Sequence, residues 1–586
     1  MKPEADAESR SLASWMAAPM WANRGLYIRV VVAATMINLF GLASSIFAMT
    51  VYDRVLPNNA LASLVGLSIG LAVVVVFDFL LRGLRAYFVD IAGANIDREI
   101  GERMFGRLLA MRLALRSGST GQLTGLMREL ESLRDFFASA TLSALVDVPF
   151  ILLTLAIIAV IGGWVVLVPL AAVPIVIASA LFTRPTLERL AGKAMTEGIT
   201  KQAVLVETIG GIETVKANGA GPLLARRWIG AIDRQADHAL RQRMVSAIGM
   251  NVVAAANTLS YAGVVILGVT LIVDHRLTMG ALVASSMLTS RAVSPLAQIA
   301  QLLSRLTATR TAYRQLDAFM RKPLEGPEGQ GLRPGAIAGR IGLRNVAFTY
   351  PGAAEPALRG VTFSIEPGER VALIGRVGSG KSTIARLLLG LHEAAEGVVQ
   401  IDGTDIRQFD PTALRRKIGA ALQESVLLSG TIRENILLDR SDIDEEEMLR
   451  AARLSGTHDH IGSIANGYDL KLTDRGEGLS GGQRQSIALA RALAGRPSLI
   501  IFDEPTSAMD GPGEAQLIDR LVDEVAGRTM ILITHRPALM RLATRIIVME
   551  AGRVIVDGPR DDVLARQRAA AAGGGAEAGP QGVAAA

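Results

Sequence analysis

The sequence predicts an α-helical transmembrane domain with six spans, followed by an α/β domain. Hydrophobic residues make up 50% of the 586 residues, and the mean hydropathy of +0.35 is higher than an ordinary soluble protein shows. Long apolar runs fill much of the N-terminal half. From about residue 338, short β-like runs alternate with amphipathic helices, which is typical of an α/β domain.

Composition excludes several classes of function. The chain has no cysteine, which excludes disulfides, cysteine-ligated zinc and thiol catalysis. The formal net charge of +6 fits either a nucleic-acid-binding protein or a membrane protein with basic cytoplasmic loops. Because no basic tract is interleaved with aromatic residues, we expect the lipid bilayer as a partner and no nucleic acid.

Residues 1–26 form an N-terminal segment before the first span. Trp15, Met16, Met20 and Trp21 fit either a short interfacial helix or a disordered tail. The apolar run that follows is long and has no small-residue cleavage site after it, so we predict no cleavable signal peptide.

The predicted transmembrane domain covers residues 27–320. A helix needs about 20 apolar residues to cross a bilayer, and the segments that approach or exceed this length are 27–50, 61–81, 138–161, 164–182, 248–273 and 279–304. The last segment is the least apolar. Its polar residues could form one face that lines a partly polar path, namely Ser285, Ser286, Thr289, Ser290, Arg291 and Ser294.

Two long connections, 82–137 and 183–247, are helical in pattern and rich in arginine and lysine. They are predicted to continue out of the bilayer as helical extensions. Since Lys and Arg are enriched in cytoplasmic loops, both connections and the N-terminus are predicted to lie in the cytoplasm. The even number of spans then puts the α/β domain on the same side.

Charged residues within the predicted spans are costly and usually face a cavity or a partner. Asp78 can pair with Arg82 one helical turn later. Arg291 either lines a path or neutralises an aspartate. The sequence assigns no role to Asp147.

The C-terminal half begins after a segment dense in proline, glycine and charge, residues 321–337, which we interpret as a linker. The α/β domain is predicted to cover residues 338–566. Residues 567–586 are rich in alanine and glycine, and we expect them to be a disordered tail.

A phosphate-binding loop lies in this domain. The apolar run from Val371 to Ile374 is followed by Gly-x4-Gly-Lys-Ser and then by an apolar-periodic helix, which is the context that the P-loop requires. Glycines let backbone amides converge on phosphate oxygens, and the helix presents its N-terminus to the same anion. We therefore predict a P-loop NTPase domain in which ATP contacts Gly375, Arg376, Val377, Gly378, Ser379, Gly380, Lys381, Ser382 and Thr383.

Two further stretches carry candidate chemistry. LIIFDEP is an apolar strand ending in Asp503 and Glu504, at the edge where α/β sheets bind ligands. Asp503, with Ser382, would bind Mg²⁺, and Glu504 would orient or deprotonate the attacking water. LSGGQ begins a helix that Ser480 can cap, and the free amides after it form an anion site.

Together these stretches resemble the ATP-binding cassette of ABC transporters, from about residue 342 to the 560s. The resemblance implies ATP hydrolysis with ATP and Mg²⁺ as cofactors, and further site residues. Tyr350 matches the aromatic residue that stacks on adenine. Gln423 matches the Q-loop glutamine, which senses Mg²⁺ and contacts the membrane domain. His535 matches the switch histidine, which contacts the γ-phosphate.

In this family, the P-loop of one subunit and the LSGGQ of another close on the same ATP. The chain has one of each, so the resemblance implies a half-transporter that acts as a homodimer. Both sites of the dimer should be active because Glu504 and His535 are present. The residues that would contact ATP in trans are Ser480, Gly481, Gly482 and Gln483.

The six-span domain resembles the type I ABC exporter fold and, at residues 37–59, 77–90 and 145–153, the exporters of type I secretion systems. This resemblance implies ATP-driven export of an unfolded polypeptide across the bacterial inner membrane. The implied partners are a periplasmic adaptor, an outer-membrane channel and a secreted protein. Many relatives carry an N-terminal peptidase-like domain. With only about 26 residues before the first span, we expect neither leader processing nor the docking function of that domain.

Two alternatives remain. One is a stand-alone lipid or drug exporter, and the other is a non-transport ATPase that uses the cassette for nucleic-acid or regulatory work. The six predicted spans argue against the second alternative.

Overall fold

The computed structural model describes residues 14–115, 125, 130, 140–327, 331–424, 426–461, 464 and 466–573. The chain divides into two compact units. One comprises Met1–Ala110 and Ser117–Lys322, and the other comprises Met111–Arg116 and Pro323–Ala586. The division after Lys322 falls within the predicted linker. The function assigned to each domain stays a prediction.

The first unit is helical. Its α-helices are α1 (Ser14–Ala22), α2 (Arg24–Thr50), α3 (Leu61–Ala110), α4 (Ala140–Gly162), α5 (Leu167–Gly210), α6 (Ile212–Ala217), α7 (Gly221–Val273) and α8 (Met279–Met320). A π-helical turn, Val51–Val55, follows α2, and a 3-10 turn, Gly163–Val166, joins α4 to α5. The long connections predicted to leave the bilayer as helices are helical over most of their described residues, with breaks at 111–112, 211 and 218–220.

Four helical stretches of the described residues could cross a membrane by length and composition: Arg24–Val55, Leu61–Ala110, Val148–Gly210 and Gly221–Val273. The third stretch contains α4 from Val148 onwards, the 3-10 turn and α5, so it covers most of one predicted span and all of the next. The sixth predicted span lies in α8, which is not apolar enough to be among the four.

Helix α8 can be less apolar because it packs against α2, α4, α5 and α7. Small and polar residues are common where transmembrane helices meet. The prediction of a single polar face on this helix was wrong. Ser285, Ser286 and Thr289 are buried among the helices, whereas Arg291 and Ser294 are exposed. The two groups point in different directions because they lie on different sides of α8.

The start of α8 is fixed by Asp53, in the π-helical turn after α2. The Thr278 hydroxyl donates a hydrogen bond to Asp53 Oδ2 (2.7 Å), and the Gly280 N–H donates to Asp53 Oδ1 (2.8 Å). A carboxylate at a helix N-terminus is stabilising. A Cβ at Gly280 would overlap the carbonyl oxygen of Met49, so only glycine allows this approach.

The charges within the predicted spans make specific contacts. Arg82 Nε lies 2.7 Å from Asp78 Oδ2, which confirms their predicted pairing. Arg291 Nη2 donates to Ser44 Oγ at 3.4 Å, and its guanidinium lies directly against Gly41. In the described part of the chain, Arg291 therefore contacts α2 and forms no ion pair. The side chain of Asp147 lies outside the described residues.

The described part of the N-terminal segment contains a helix, α1, whereas its interfacial location stays a prediction. Trp15 Nε1 donates to Asp317 Oδ1 at 3.0 Å, and the indole stacks on Tyr313 with ring centroids 5.7 Å apart. Met16 is buried, whereas Trp21 is exposed. Residues 1–13 lie outside the described residues.

The second unit contains two main sheets. Its strands are β1 (Ile341–Phe348), β2 (Leu358–Ile365), β3 (Arg370–Gly375), β4 (Glu396–Ile401), β5 (Thr404–Asp405), β6 (Ile418–Ala421), β7 (Gly430–Thr431), β8 (Lys471–Leu472), β9 (Leu499–Asp503), β10 (Thr529–Ile533), β11 (Arg545–Glu550) and β12 (Arg553–Pro559). Its α-helices are α9 (Lys381–Leu388), α10 (Pro411–Arg415), α11 (Ile432–Leu437), α12 (Glu445–Leu454), α13 (Thr457–Ile461), α14 (Gly481–Leu493), α15 (Gly511–Glu524) and α16 (Arg560–Gly573).

The larger sheet has the order β12-β11-β3-β10-β9-β6, and all its pairs are parallel except β11 with β12. Strands β9 and β10 are buried along their whole length, as expected for a parallel sheet covered on both faces. The smaller sheet, β2-β1-β4-β5, is antiparallel. The carboxyl ends of β3, β6, β9 and β10 meet at one edge, where ligands of such sheets bind.

The predicted tail needs one correction. Helix α16 extends to Gly573, so residues 567–573 are helical rather than disordered. They include a run of alanines, the best helix former, which explains why the helix continues. Residues 574–586 lie outside the described residues.

Candidate active site

The P-loop connects β3 to α9 at the carboxyl edge of the larger sheet. Gly375 and Gly380 have φ angles of 148° and 99°, in a region that side chains disfavour. A Cβ at Gly375 would also overlap the carbonyl oxygen of Met549 on the neighbouring strand β11. The fold therefore requires glycine at the first position of the loop, where the sequence motif has it.

Lys381, the first residue of α9, folds its side chain back over the loop. Its Nζ donates to the carbonyl oxygens of Gly375 (2.9 Å) and Arg376 (2.8 Å) and to Ser379 Oγ (3.2 Å). Burial lowers the pKa of Lys381 below its ordinary value, although the nearby carboxylates of Glu504 and Asp503 oppose this shift. The loop thus holds a partly buried cation at its centre, where phosphate oxygens are expected.

Asp503 ends β9 and is 3% exposed. Burial raises the pKa of its carboxyl, and a hydrogen bond with Ser382 partly offsets that rise. Among the described residues, Asp503 Oδ1 has no hydrogen-bond partner. A buried carboxylate oxygen without a partner, next to a serine hydroxyl, is a donor set that suits a hard cation such as Mg²⁺.

Glu504 follows Asp503 and contacts His535. Glu504 Oε1 and His535 Nδ1 are 2.7 Å apart, and Glu504 Oε2 is buried without a partner among the described residues. Glu504 has a φ of 52°, which is strained for a residue other than glycine. Its N–H donates to the carbonyl oxygen of Ile533 (2.9 Å) at the end of β10, which holds this conformation. The sequence predicted both residues but not their direct contact.

Tyr350 lies beside the start of α9. Its hydroxyl is 3.1 Å from Thr383 Oγ1 and accepts a hydrogen bond from Arg386 Nη1 (2.9 Å). Its ring packs edge-on against Phe348 and His392. The structure thus brings the predicted adenine-stacking residue to the P-loop helix. No motif in the sequence pointed to Arg386 or His392.

Gln423 follows β6, whose end pairs with β9 next to Asp503. Its side chain is exposed. The structure therefore puts Gln423 at the correct sheet edge without showing a contact to the other predicted site residues.

The LSGGQ residues form the start of α14. Ser480 Oγ accepts from the Gln483 N–H (3.2 Å), and Gln483 Oε1 accepts from the Ser480 N–H (2.8 Å), so the two side chains form a capping box. The capped end opens into a concavity of about 350 Å³, which Ala508 and Asp510 also line. In the described part of the chain, no hydrogen bond joins Ser480, Gly481, Gly482 or Gln483 to the P-loop.

The turn after Glu504 is held from two sides by residues that the sequence analysis missed. Gln485, on α14, donates through Nε2 to the Glu504 carbonyl oxygen (2.9 Å) and to Ser507 Oγ (3.0 Å). Gln485 Oε1 accepts from the Ala508 N–H (2.9 Å). Arg536, next to His535, donates to the Ser507 carbonyl oxygen at 3.3 Å. A glutamine two positions after LSGGQ was the only signal available in the sequence.

The Arg536 guanidinium also pairs with Glu514 on α15 (2.8 Å). Glu514 in turn accepts from the buried Thr506 hydroxyl (3.2 Å). These contacts give the turn a second anchor on the side opposite Gln485.

Family models match most of the chain. The model described as ABC transporter matches residues 358–507, and the model described as ABC transporter transmembrane region matches residues 27–296. The P-loop, LSGGQ and both carboxylates lie within the first match, whereas Tyr350 and His535 lie outside it.

Curated relatives match nearly the whole chain. A cyclolysin secretion/processing ATP-binding protein of Bordetella pertussis is 36% identical over 553 residues, which is 94% of this chain and 78% of the relative. An exotoxin translocation ATP-binding protein of Pasteurella aerogenes is 33% identical over 552 residues, with the same two coverages. A toxin RTX-I translocation ATP-binding protein of Actinobacillus pleuropneumoniae is 32% identical over 553 residues, again with these coverages.

A solved structure, that of a bacterial Atm1-family ABC exporter with ATP bound, is similar to this chain with a TM-score of 0.82 and 25% identity. The similarity covers 94% of this chain and 99% of that one. It confirms the predicted combination of a helical exporter domain with a nucleotide-binding domain.

Proposed function

This chain belongs to the ABC transporter family, and from that premise we propose that it exports an unfolded polypeptide as the ABC component of a type I secretion system. Its ATPase activity and its multi-pass location in the bacterial inner membrane, with the ATP-binding domain in the cytoplasm, follow from the family. One observation supports the cargo class. Relatives that match 94% of the chain are named for the secretion or translocation of toxins.

In the proposed mechanism, the P-loop amides and Lys381 bind the phosphates of ATP. Incoming phosphate oxygens replace the carbonyl oxygens that now accept from Lys381 Nζ. Tyr350 stacks on the adenine. The free Oε2 of Glu504 is the atom available to orient or deprotonate the attacking water. His535, which is exposed, keeps Glu504 in place through Oε1 and is free to contact the γ-phosphate.

We propose Mg²⁺ as the second cofactor, bound by Ser382 and Asp503 and reached by Gln423. The unpartnered Asp503 Oδ1 supports this assignment. Bound there, Mg²⁺ would neutralise charge that develops on the transferred phosphoryl group. Ser382, Asp503 and Gln423 all lie at the carboxyl edge of the larger sheet, as such a role requires.

ABC transporters of this kind act as dimers, and we propose a homodimer in which two composite sites each combine one P-loop with the partner's LSGGQ. The separate concavity at Ser480 supports a contact in trans. The Gly481 and Gly482 amides, the Ser480 hydroxyl and the Gln483 side chain would contact the phosphates bound to the other subunit.

The proposed partners are a periplasmic adaptor, an outer-membrane channel and a secreted protein. A stand-alone lipid or drug exporter is the alternative, which the names of the relatives do not favour. In both cases the ATP-driven step uses the same cassette residues, so only the cargo distinguishes them.

A gene deletion tests the cargo. The strain is complemented with the intact gene, with a Glu504→Gln variant or with a Glu355→Gln control, which alters an exposed ion pair on the same unit. We expect one large extracellular protein to disappear and to return only with the intact gene and the control. An unchanged set of secreted proteins, together with altered lipid distribution or drug tolerance, would favour the alternative.

A further inference from the structure

A groove with a volume of about 710 Å³ lies between α5 and α7 in the helical unit. Its apolar side includes Leu190, Met244 and Ile248, and no lining residue is acidic. The basic residues that line it come from both helices: Arg189 and Lys193 from α5, and His238 and Arg241 from α7.

The basic side of this groove has unused hydrogen-bond donors and charge. Arg189 and Lys193 lie one helical turn apart, and neither forms an ion pair with any described residue. Arg241 is paired with Asp237 at 2.9 Å, so Asp237 offsets one charge. His238 Nδ1 is buried without a hydrogen-bond partner among the described residues. The groove therefore keeps two cations and one ring nitrogen for a ligand.

The apolar runs of α5 and α7 indicate where the groove lies relative to the bilayer. The apolar run of α5 ends near Phe182, and that of α7 begins near Ile248. Arg189 and Arg241 are each seven residues beyond these points, or about 10 Å along a helix. The polar headgroup layer is about 5 to 8 Å thick on each side. Arg189 and Arg241 thus lie just beyond the cytoplasmic headgroup layer, within reach of a long side chain, whereas Lys193 and His238 are eleven and ten residues beyond the same points, or about 15 Å. Val245 and Ile248 lie on the hydrocarbon side of these cations.

We propose that this groove binds an anionic phospholipid of the cytoplasmic leaflet. Its phosphate contacts Arg189 and Lys193, whose side chains tilt towards the membrane along α5, and its acyl chains lie along Val245 and Ile248. Basic pockets between transmembrane helices on this side of a membrane are suited to anionic headgroups. The lipid is a resident ligand, and the proposal holds whether the cargo is a polypeptide or not.

The absence of cysteine allows a site-specific test on the full-length protein. A Met244→Cys variant labelled with a fluorophore is titrated in detergent with phosphatidylglycerol or phosphatidylcholine that carries a quenching acyl chain. We expect saturable quenching by phosphatidylglycerol only. Because one cation near a membrane surface changes affinity about fivefold, Arg189→Gln with Lys193→Gln should raise the half-saturation concentration at least about fivefold. Lys193→Gln alone serves if the double variant does not fold.

The matched control is Arg226→Gln with Arg227→Gln, which removes the same charge from an exposed end of α7. Arg189→Lys with Lys193→Arg keeps both charges in the groove. The control and the charge-conserving pair should bind phosphatidylglycerol like the parent. The proposal would be overturned if the Arg226 and Arg227 control weakened phosphatidylglycerol binding as much as the groove variant does, or if phosphatidylcholine quenched the fluorophore equally well. It would also be overturned if no quenching occurred and the unlabelled Met244→Cys variant cross-linked two subunits. The last result would mean that a second copy covers the groove.

Discussion

Gln485 donates a hydrogen bond from its side-chain amide to the backbone carbonyl oxygen of Glu504, at 2.9 Å. The same side chain also bonds to Ser507 Oγ and to the Ala508 N–H. Glu504 has a strained backbone, so its position depends on such neighbouring contacts. Gln485 lies in the first turns of α14, which begins at LSGGQ. A displacement of the LSGGQ end would therefore reach the carboxylate proposed to act on water.

We predict that Gln485→Leu lowers kcat for ATP about tenfold, the effect of losing well-placed hydrogen bonds at a catalytic position. ATP affinity should change less than about twofold, because the P-loop contacts are untouched. Steady-state hydrolysis and equilibrium ATP binding measure the two effects. Gln400→Leu is the control, since within the described part of the chain the Gln400 side chain bonds to the nearby Gly403 and to no site residue. Normal turnover by Gln485→Leu would show that Gln485 does not position Glu504.

Asp503→Asn should show separately how much stability the buried carboxylate costs and how much it contributes to Mg²⁺ binding. Burial raises the pKa of Asp503, so in the metal-free protein the free energy of unfolding falls as pH rises through that raised pKa. The asparagine variant removes this cost. In EDTA at pH 8, we expect its melting temperature to equal or exceed that of the parent.

With Mg²⁺ and ATP present, the parent should have the higher melting temperature of the two proteins. A ligand at a hundred times its Kd adds about 2.7 kcal/mol to the free energy of unfolding, and the variant should lose the part of this gain that depends on Mg²⁺. Thermal unfolding of the full-length protein, with and without Mg²⁺, measures both differences. Equal Mg²⁺-dependent gains in the two proteins would remove Asp503 from the metal site.

The helical unit offers a test of packing at the start of α8. Gly280→Ala puts a Cβ against the Met49 carbonyl oxygen, which is backbone and has little freedom to move. We expect a loss of about 1 to 3 kcal/mol, as for other forced overpacking, and a melting temperature lower by several degrees. Gly66→Ala on α3 is the control, because a Cβ there meets nothing within 4 Å. Equal melting temperatures for the two variants would contradict the packing shown here.

Local sequence was sufficient for the parts of the fold set by short-range rules. The P-loop glycines, the Ser480 cap and the apolar strand ending at Asp503 each lie at the end of a single helix or strand. Each is determined by neighbouring residues, so the local sequence pattern predicted its position. The Asp78–Arg82 pair was predictable because both residues share one helix face.

Contacts between distant segments could not be predicted in this way. The hydrogen bonds of Gln485 to Glu504 and Ser507 join residues 19 and 22 positions apart, and no periodicity encodes that pairing. The polar residues of α8 were misjudged for the same reason. Composition showed that Ser285 and Arg291 were polar, but the neighbours that bury Ser285 come from other helices.

The proposed trans arrangement of the two sites predicts how mixed dimers behave. Lys381→Ala removes the charge that faces the phosphates, and Ser480→Arg fills the concavity at the LSGGQ end while removing the cap on Gln483. Each variant alone should hydrolyse ATP at no more than about a twentieth of the parent rate, because both sites of its homodimer carry the lesion. Asp444→Ala controls for the lost cap, since Asp444 caps α12 in the same way and should leave hydrolysis nearly unchanged.

In a dimer that pairs Lys381→Ala with Ser480→Arg, one composite site carries both lesions and the other carries neither. If P-loop and LSGGQ meet in trans, and if the two sites act independently, this dimer should recover up to about half of the parent rate. If both motifs of a site came from one chain, each site would keep one lesion and no activity would return. Co-expression with two different affinity tags, tandem purification and an ATPase assay distinguish these outcomes. Recovery would establish that this chain hydrolyses ATP across a dimer interface.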